Sequence, residues 1–375
     1  MSRDGFASSG AAFAFSFALS ISAVAMPLLG LAAGYSAAAV GAIIAVSGVA
    51  QFVVRLCLGL VLRKVADRTL ITVAGVALVV SNLVVVLSTA LVPFLIAQVL
   101  QGAARAGFWT GTQTHVVRSN PSAVNAIAGM NLAASFAMLV GPYLAGVLAE
   151  RDINLALLAA AAVAAVAVGL TYLLDRLSPF HLTRGQIPKR IWRRSGVSGA
   201  CWASMTTGAW RGLLGSYIPI VLEAAQQPPT MIGALVSIAN VAVLIGSGLL
   251  ARDWAARWSV VAMATLAAGV GTAATGFAAG SVTLAAAALA TSGLGAGMLQ
   301  TLGPAMATES VKPQEVGEAI VATGTFRAAA MFAGPLTVAG ALAVLGVTVS
   351  LGLAAVGALI SLPALTARTT AREQR

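Results

Sequence analysis

Three arginines interrupt long apolar stretches of this chain: Arg105, Arg211 and Arg327. A guanidinium carries five N–H donors in a planar fork that matches a carboxylate or a phosphate, and it does not lose its proton in proteins. Each arginine shares a helical stripe with other polar residues. Gln98, Gln101, Arg105 and Trp109 recur at steps of three or four, as do Ser204, Thr207 and Arg211, and Thr323, Arg327 and Met331. Trp109 and Trp210 could stack on a flat or amphipathic partner. Asn131, Asn240 and Gln300 are single amides in other apolar runs, suited to interhelical hydrogen bonds or to a bound solute. No acid accompanies the arginines. All eleven Asp and Glu fall in loops, tails or the ends of apolar runs, with Glu318 the nearest to an interior. A bound anion would supply the missing charge.

The setting for these stripes is a bilayer. Of 375 residues, 59% are hydrophobic and 9% charged, with mean hydropathy +0.94; soluble domains carry roughly 25% charged residues. Apolar runs predict helices near 11–33, 36–61, 69–91, 92–115, 122–148, 153–176, 197–221, 230–251, 258–279, 281–306, 317–344 and 347–366. The expected fold is therefore all-α, with twelve transmembrane helices. At a helix centre each arginine costs roughly 2.5–3.5 kcal/mol, so such residues usually face a polar cavity and mark a substrate path. Arg55, near the end of its run, can snorkel instead.

Charge placement sets the topology. Seventeen of the 22 Lys and Arg fall in the segments that an inside N-terminus makes cytoplasmic; the opposite loops hold Arg151 alone. Both termini are then cytoplasmic. The same asymmetry explains the net charge of +11 without nucleic acid as a partner. Ser178 to Arg194 is the longest polar stretch. It divides the chain into a first bundle (1–177), a basic linker (178–196) and a second bundle (197–375). Cys57 and Cys201 sit in apolar runs and have no metal or disulfide spacing. His115 and His181, at or beyond run ends, read as solvated. No metalloprotease, serine-hydrolase or phosphate-loop pattern is present, so neither an enzyme nor an ATP-driven pump is expected.

The halves repeat each other. Gly59, Arg63 and Ala66 recur as Gly248, Arg252 and Ala255; Gly102 recurs as Gly293, and Gly141-Pro142 as Gly334-Pro335. On these residues the chain resembles the major facilitator superfamily. Gly59, Val61, Leu62, Lys64 and Arg68 fit that family's loop between spans two and three. Arg63 takes the position of its conformation-locking Asp, which Asp67 could replace. Gln98-Val-Leu-Gln101-Gly102 resembles its span-four motif. Gly141-Pro142-Tyr143-Leu144-Ala145-Gly146 resembles the end of its antiporter motif, which is associated with export. The resemblance implies alternating access in an inner or plasma membrane. Flux would be driven by an ion or solute gradient without cofactor or metal, in a monomer whose partners are a small solute and the lipid. Proton antiport is the family's usual energy source. Exchange, uniport and import stay open, as does a transporter-like receptor or scaffold.

Overall fold

A computed structural model describes residues 3–61, 64–119, 123–179, 191–249, 258–312 and 315–373. Among them there are thirteen α-helices, one 3-10 turn (Ile191–Arg193) and no strand. The helices are α1 (Arg3–Ala32), α2 (Ala37–Val61), α3 (Asp67–Leu87), α4 (Leu91–Ser119), α5 (Ala123–Arg151), α6 (Ile153–Thr171) and α7 (Ser195–Leu214). They continue as α8 (Tyr217–Ala224), α9 (Pro229–Leu249), α10 (Trp258–Ala278), α11 (Val282–Glu309), α12 (Val316–Leu345) and α13 (Val349–Glu373).

Among the described residues, ten helices are long and apolar enough to cross a membrane, where the apolar runs predict twelve. One reason is α7, whose serines, threonines and Arg211 dilute its apolar content; of α13, Val349–Leu362 is an apolar helix of shorter length. The run expected at 197–221 is also broken. At Gly215 and Ser216 the backbone leaves the helix, and its polar groups are satisfied on the spot. The Gly215 N–H donates to the Arg211 carbonyl, the Ser216 N–H to the Leu213 carbonyl at 3.1 Å, and the Ser216 hydroxyl to the Gly212 carbonyl at 2.7 Å. A break at bilayer depth needs such local closure. At the other end of the chain, α1 begins at Arg3, eight residues before the expected start near 11. Asp4 lies in its first turn, where a carboxylate complements the helix dipole.

The chain forms two compact units. Unit 1 comprises Met1–Tyr35, Val46–Arg184 and Pro228–Ser237; unit 2 comprises Ser36–Ala45, Gly185–Gln227 and Ile238–Arg375. Helices α2 and α9 thus each contribute to both. Within unit 1, α1 packs on α5 and α3 on α4; within unit 2, α7 packs on α12 and α10 on α11. The repeated landmarks sit at corresponding crossings. A side chain on Gly102 of α4 would meet the Ser47 carbonyl of α2, and one on Gly293 of α11 the Ala239 carbonyl of α9. Gly141 of α5 lies against Ser20 and Phe17 of α1; Gly334 of α12 lies against Ala209 of α7. Close backbone approach through small residues is how helices pack where lipid removes the hydrophobic drive.

At the start of α12, the Arg194 guanidinium donates to both Glu315 carboxylate oxygens, at 2.6 and 2.9 Å. Those bonds, with a further one from the Lys312 N–H, hold the Glu315 carboxyl below the usual glutamate range.

The crossing at Gly102 makes a test. Gly102→Ala drives a methyl into the α2 backbone and should lower the melting temperature, at a cost of about 1–3 kcal/mol. Gly169→Ala, with open space around it, should leave the melting temperature unchanged or raise it slightly, since alanine favours a helix by about 0.5–1 kcal/mol.

Candidate functional site

In unit 1 the polar stripe belongs to α4. Gln98 and Gln101 are buried, and their amide N–H groups reach the Met26 sulfur of α1 at 3.0 and 3.6 Å. The Gln98 side-chain oxygen is buried without a hydrogen-bond partner. Two turns beyond Gln98, Arg105 is half-buried. Its guanidinium has no hydrogen-bond or ion-pair partner among the described residues. Trp109, also half-buried, meets Phe108 edge-on at 6.0 Å, and Phe108 stacks on Phe15 of α1 at 3.8 Å. That apolar support fixes α4 against α1 beside the stripe. Asn131 of α5 is exposed, its carbonyl accepting from the Ser135 hydroxyl.

In unit 2 the two other arginines meet amides. Arg211 of α7 donates to the Asn240 side-chain oxygen of α9 at 2.8 Å, and its guanidinium lies 5.7 Å from the Trp210 ring centre. Arg327 of α12 donates to the Gln300 side-chain oxygen of α11 at 3.3 Å. The acceptors of these two bonds are neutral amides, which orient the guanidiniums. Thr207 is buried and spends its hydroxyl on the Ser204 carbonyl of its own helix. The placement of both arginines depends on glycine. Gly208 and Gly212 of α7 face the Arg327 and Met331 carbonyls of α12, where any side chain would collide with backbone.

The expected gating residues divide into two groups. Arg63 and Arg252 lie outside the described residues, and Gly59 and Gly248 continue α2 and α9. Gly248 has no neighbour where a side chain would extend. Gly141 and Pro142 work in packing: Gly141 on α1, and the Pro142 carbonyl against Gly233 of α9. Arg68 donates to the Leu174 carbonyl at 3.1 Å, beneath the Tyr172 ring. Asp67 is 1% exposed and accepts from Arg118 of α4 at 3.1 Å.

Beside that pair the structure corrects the reading of His115 as solvated: its side chain is fully buried. Its Nε2 lies 3.0 and 3.1 Å from the two Asp4 carboxylate oxygens, and its Nδ1 faces Asp67 at 3.6 Å. The sequence hid this because Asp4 is 111 residues away, in a stretch that reads as a tail. The available signal was that α1 can be extended back to Arg3 through small residues.

The family model of the Major Facilitator Superfamily matches residues 9–335. The chain belongs to this superfamily. Solved structures with the same fold include the nucleoside transporter NupG, at 12% identity and TM-score 0.75, covering 99% of this chain and 98% of that one. A POT family transporter in complex with a thioalcohol conjugated peptide aligns at 10% identity and TM-score 0.79, covering 99% and 96%. A bacterial homolog of the human lysosomal transporter Spinster, inward-facing and unoccupied, aligns at 12% identity and TM-score 0.70, covering 98% and 94%. At such identities the likeness is one of fold. No curated protein sequence matches the chain. As a superfamily member the protein is a multi-pass membrane transporter, and the polar stripes on α4, α7 and α12 are its candidate solute contacts.

Asn240→Leu removes the acceptor that orients Arg211 while keeping a side chain branched at Cγ. The loss of one buried hydrogen bond to a charged group should cost about 1.5–3 kcal/mol, read as a lower melting temperature. Asn240→Asp, which restores an acceptor, should recover it.

Proposed function

We propose that the protein is a secondary transporter for a small anionic or amphipathic anionic solute, working by alternating access. In this reading twelve spans form two six-helix halves with both termini in the cytoplasm of an inner or plasma membrane. The monomer exports its solute by proton antiport and uses no ATP.

The observation that carries the solute class is Arg105. A guanidinium halfway along a membrane helix, half-buried and without a partner among the described residues, offers all five donors to a ligand. Burying such a charge uncompensated is costly, so its retention is best accounted for by a bound counter-charge. Arg211 and Arg327, each oriented by a neutral amide, add charge of the same sign. Trp109 and Trp210 suit an apolar or aromatic portion of the same solute. Export is favoured by the likeness of Gly141-Pro142 through Gly146 to the superfamily's antiporter motif.

A second reading, anion exchange or uniport without protons, is favoured by the distribution of acids, since no carboxylate lies at the middle of any apolar run.

Thermal stabilisation of the purified protein by anionic, neutral and cationic solutes tests the solute class. A ligand that binds only the folded state at about 100 times its Kd adds about 2.7 kcal/mol. Organic anions should raise the melting temperature of the wild type, and Arg105→Gln should abolish that response. Stabilisation by lipophilic cations or neutral compounds alone, or an anion response that survives Arg105→Gln, would contradict the assignment.

A further inference from the structure

We propose that Asp4, His115 and Asp67 form a proton-binding site that locks the first turn of α1 to the adjoining ends of α3 and α4, with His115 as the group that takes up and releases the proton.

The geometry fits a doubly protonated ring. Both imidazole nitrogens face carboxylates, Nε2 towards Asp4 at 3.0 Å and Nδ1 towards Asp67 at 3.6 Å. A neutral imidazole has one N–H and one lone pair, so it can satisfy only one carboxylate and must point a lone pair at the other. An imidazolium carries an N–H on each nitrogen: Nε2 hydrogen-bonds Asp4, while Nδ1, at 3.6 Å, is within ion-pair range of Asp67 without a hydrogen bond.

Charge counting agrees. Asp4 of α1 and Asp67 of α3 each bring one negative charge, and Arg118 of α4 brings one positive charge at 3.1 Å from Asp67. The remaining contacts to the acids are neutral: the Asp175 N–H, from the segment after α6, donates to Asp4 at 3.0 Å, Ser119 hydrogen-bonds Asp4, and the Arg68 N–H donates to Asp67. The Arg68 guanidinium is committed to Leu174 and Tyr172, while Arg3 and the Asp175 side chain are exposed. With His115 protonated the cluster sums to zero. With His115 neutral it carries one buried negative charge, which is costly at 6%, 1% and 0% exposure for Asp4, Asp67 and His115.

Releasing the proton therefore weakens the tie between the start of α1 and the end of α4, and occupancy of the site makes the packing of these helix ends respond to pH. The site lies wholly within unit 1. It supplies a titratable group that the acid-free helix interiors lack. Its chemistry does not depend on the solute assignment; only its consequence for transport rate does.

The chain has two histidines, so ring-labelled histidine in the full-length protein gives two NMR signals, and His181→Gln leaves that of His115 alone. We expect one reversible titration of His115. Its midpoint should move to lower pH in Asp4→Asn and in Asp67→Asn, since each removes a carboxylate that favours the imidazolium. The melting temperature of the wild type should fall as pH rises through that midpoint, and His115→Gln should lose this step. Asp4→Asn, at the first helical turn, serves if Asp67→Asn does not fold. A His115 signal that stays in one form as pH is varied, or one that titrates indifferently to Asp4→Asn, would overturn the proposal. So would the same pH dependence of melting in wild type and His115→Gln. No solute is present in these measurements, so the outcome is separate from that of the solute panel.

Discussion

Helices in a bilayer cannot be driven together by excluding water, because the lipid is as apolar as they are. What remains is close packing and polar contact between backbones. In this chain the requirement is met by glycine at repeated positions. Gly208 and Gly212 bring α7 onto the carbonyls of α12, Gly293 and Gly297 bring α11 onto those of α9, and Gly102 brings α4 onto α2. These approaches leave little freedom for sliding or rotation. They fix where Arg211, Arg327 and Arg105 emerge from their helices, and so they determine the chemistry that the units can offer.

The same low-dielectric setting governs the charges, and the chain handles them in three ways. Arg211 and Arg327 each donate to a neutral amide oxygen that orients the guanidinium. Arg105 is presented without a hydrogen-bond or ion-pair partner among the described residues. Asp4, Asp67, His115 and Arg118 are gathered into a buried cluster whose charges can cancel. The first two arrangements suit binding of an anion. The third suits cohesion of helix ends, and its balance depends on a single proton. Separating these tasks lets solute charge and proton occupy different residues.

Much of this was legible in the sequence because membrane helices declare themselves by length and composition. The apolar runs located most of the helices, and the repeated Gly and Gly-Pro landmarks pointed to the superfamily. The stripes containing Arg105, Arg211 and Arg327 followed from helical periodicity. Other features depended on tertiary contacts that periodicity does not encode. The break at Gly215–Ser216 had a signal in Pro219, which cannot donate to the Gly215 carbonyl four residues back, but its closure by Ser216 on Gly212 is visible only in three dimensions. The acceptors Asn240 and Gln300 stood out as isolated amides, but nothing in their spacing tied them to particular arginines. His115 was misread because burial at a helix end depends on what folds over it, in this case the first turn of α1.

The central claim is that Arg105 presents an uncompensated positive charge to an anionic solute. The most direct test is charge movement in proteoliposomes adsorbed on a conducting support, with an organic anion added at constant pH. The account predicts a transient current of negative sign on anion binding in the wild type, and its loss in Arg105→Gln. A current elicited by cations alone, or an anion current unchanged in Arg105→Gln, would contradict it.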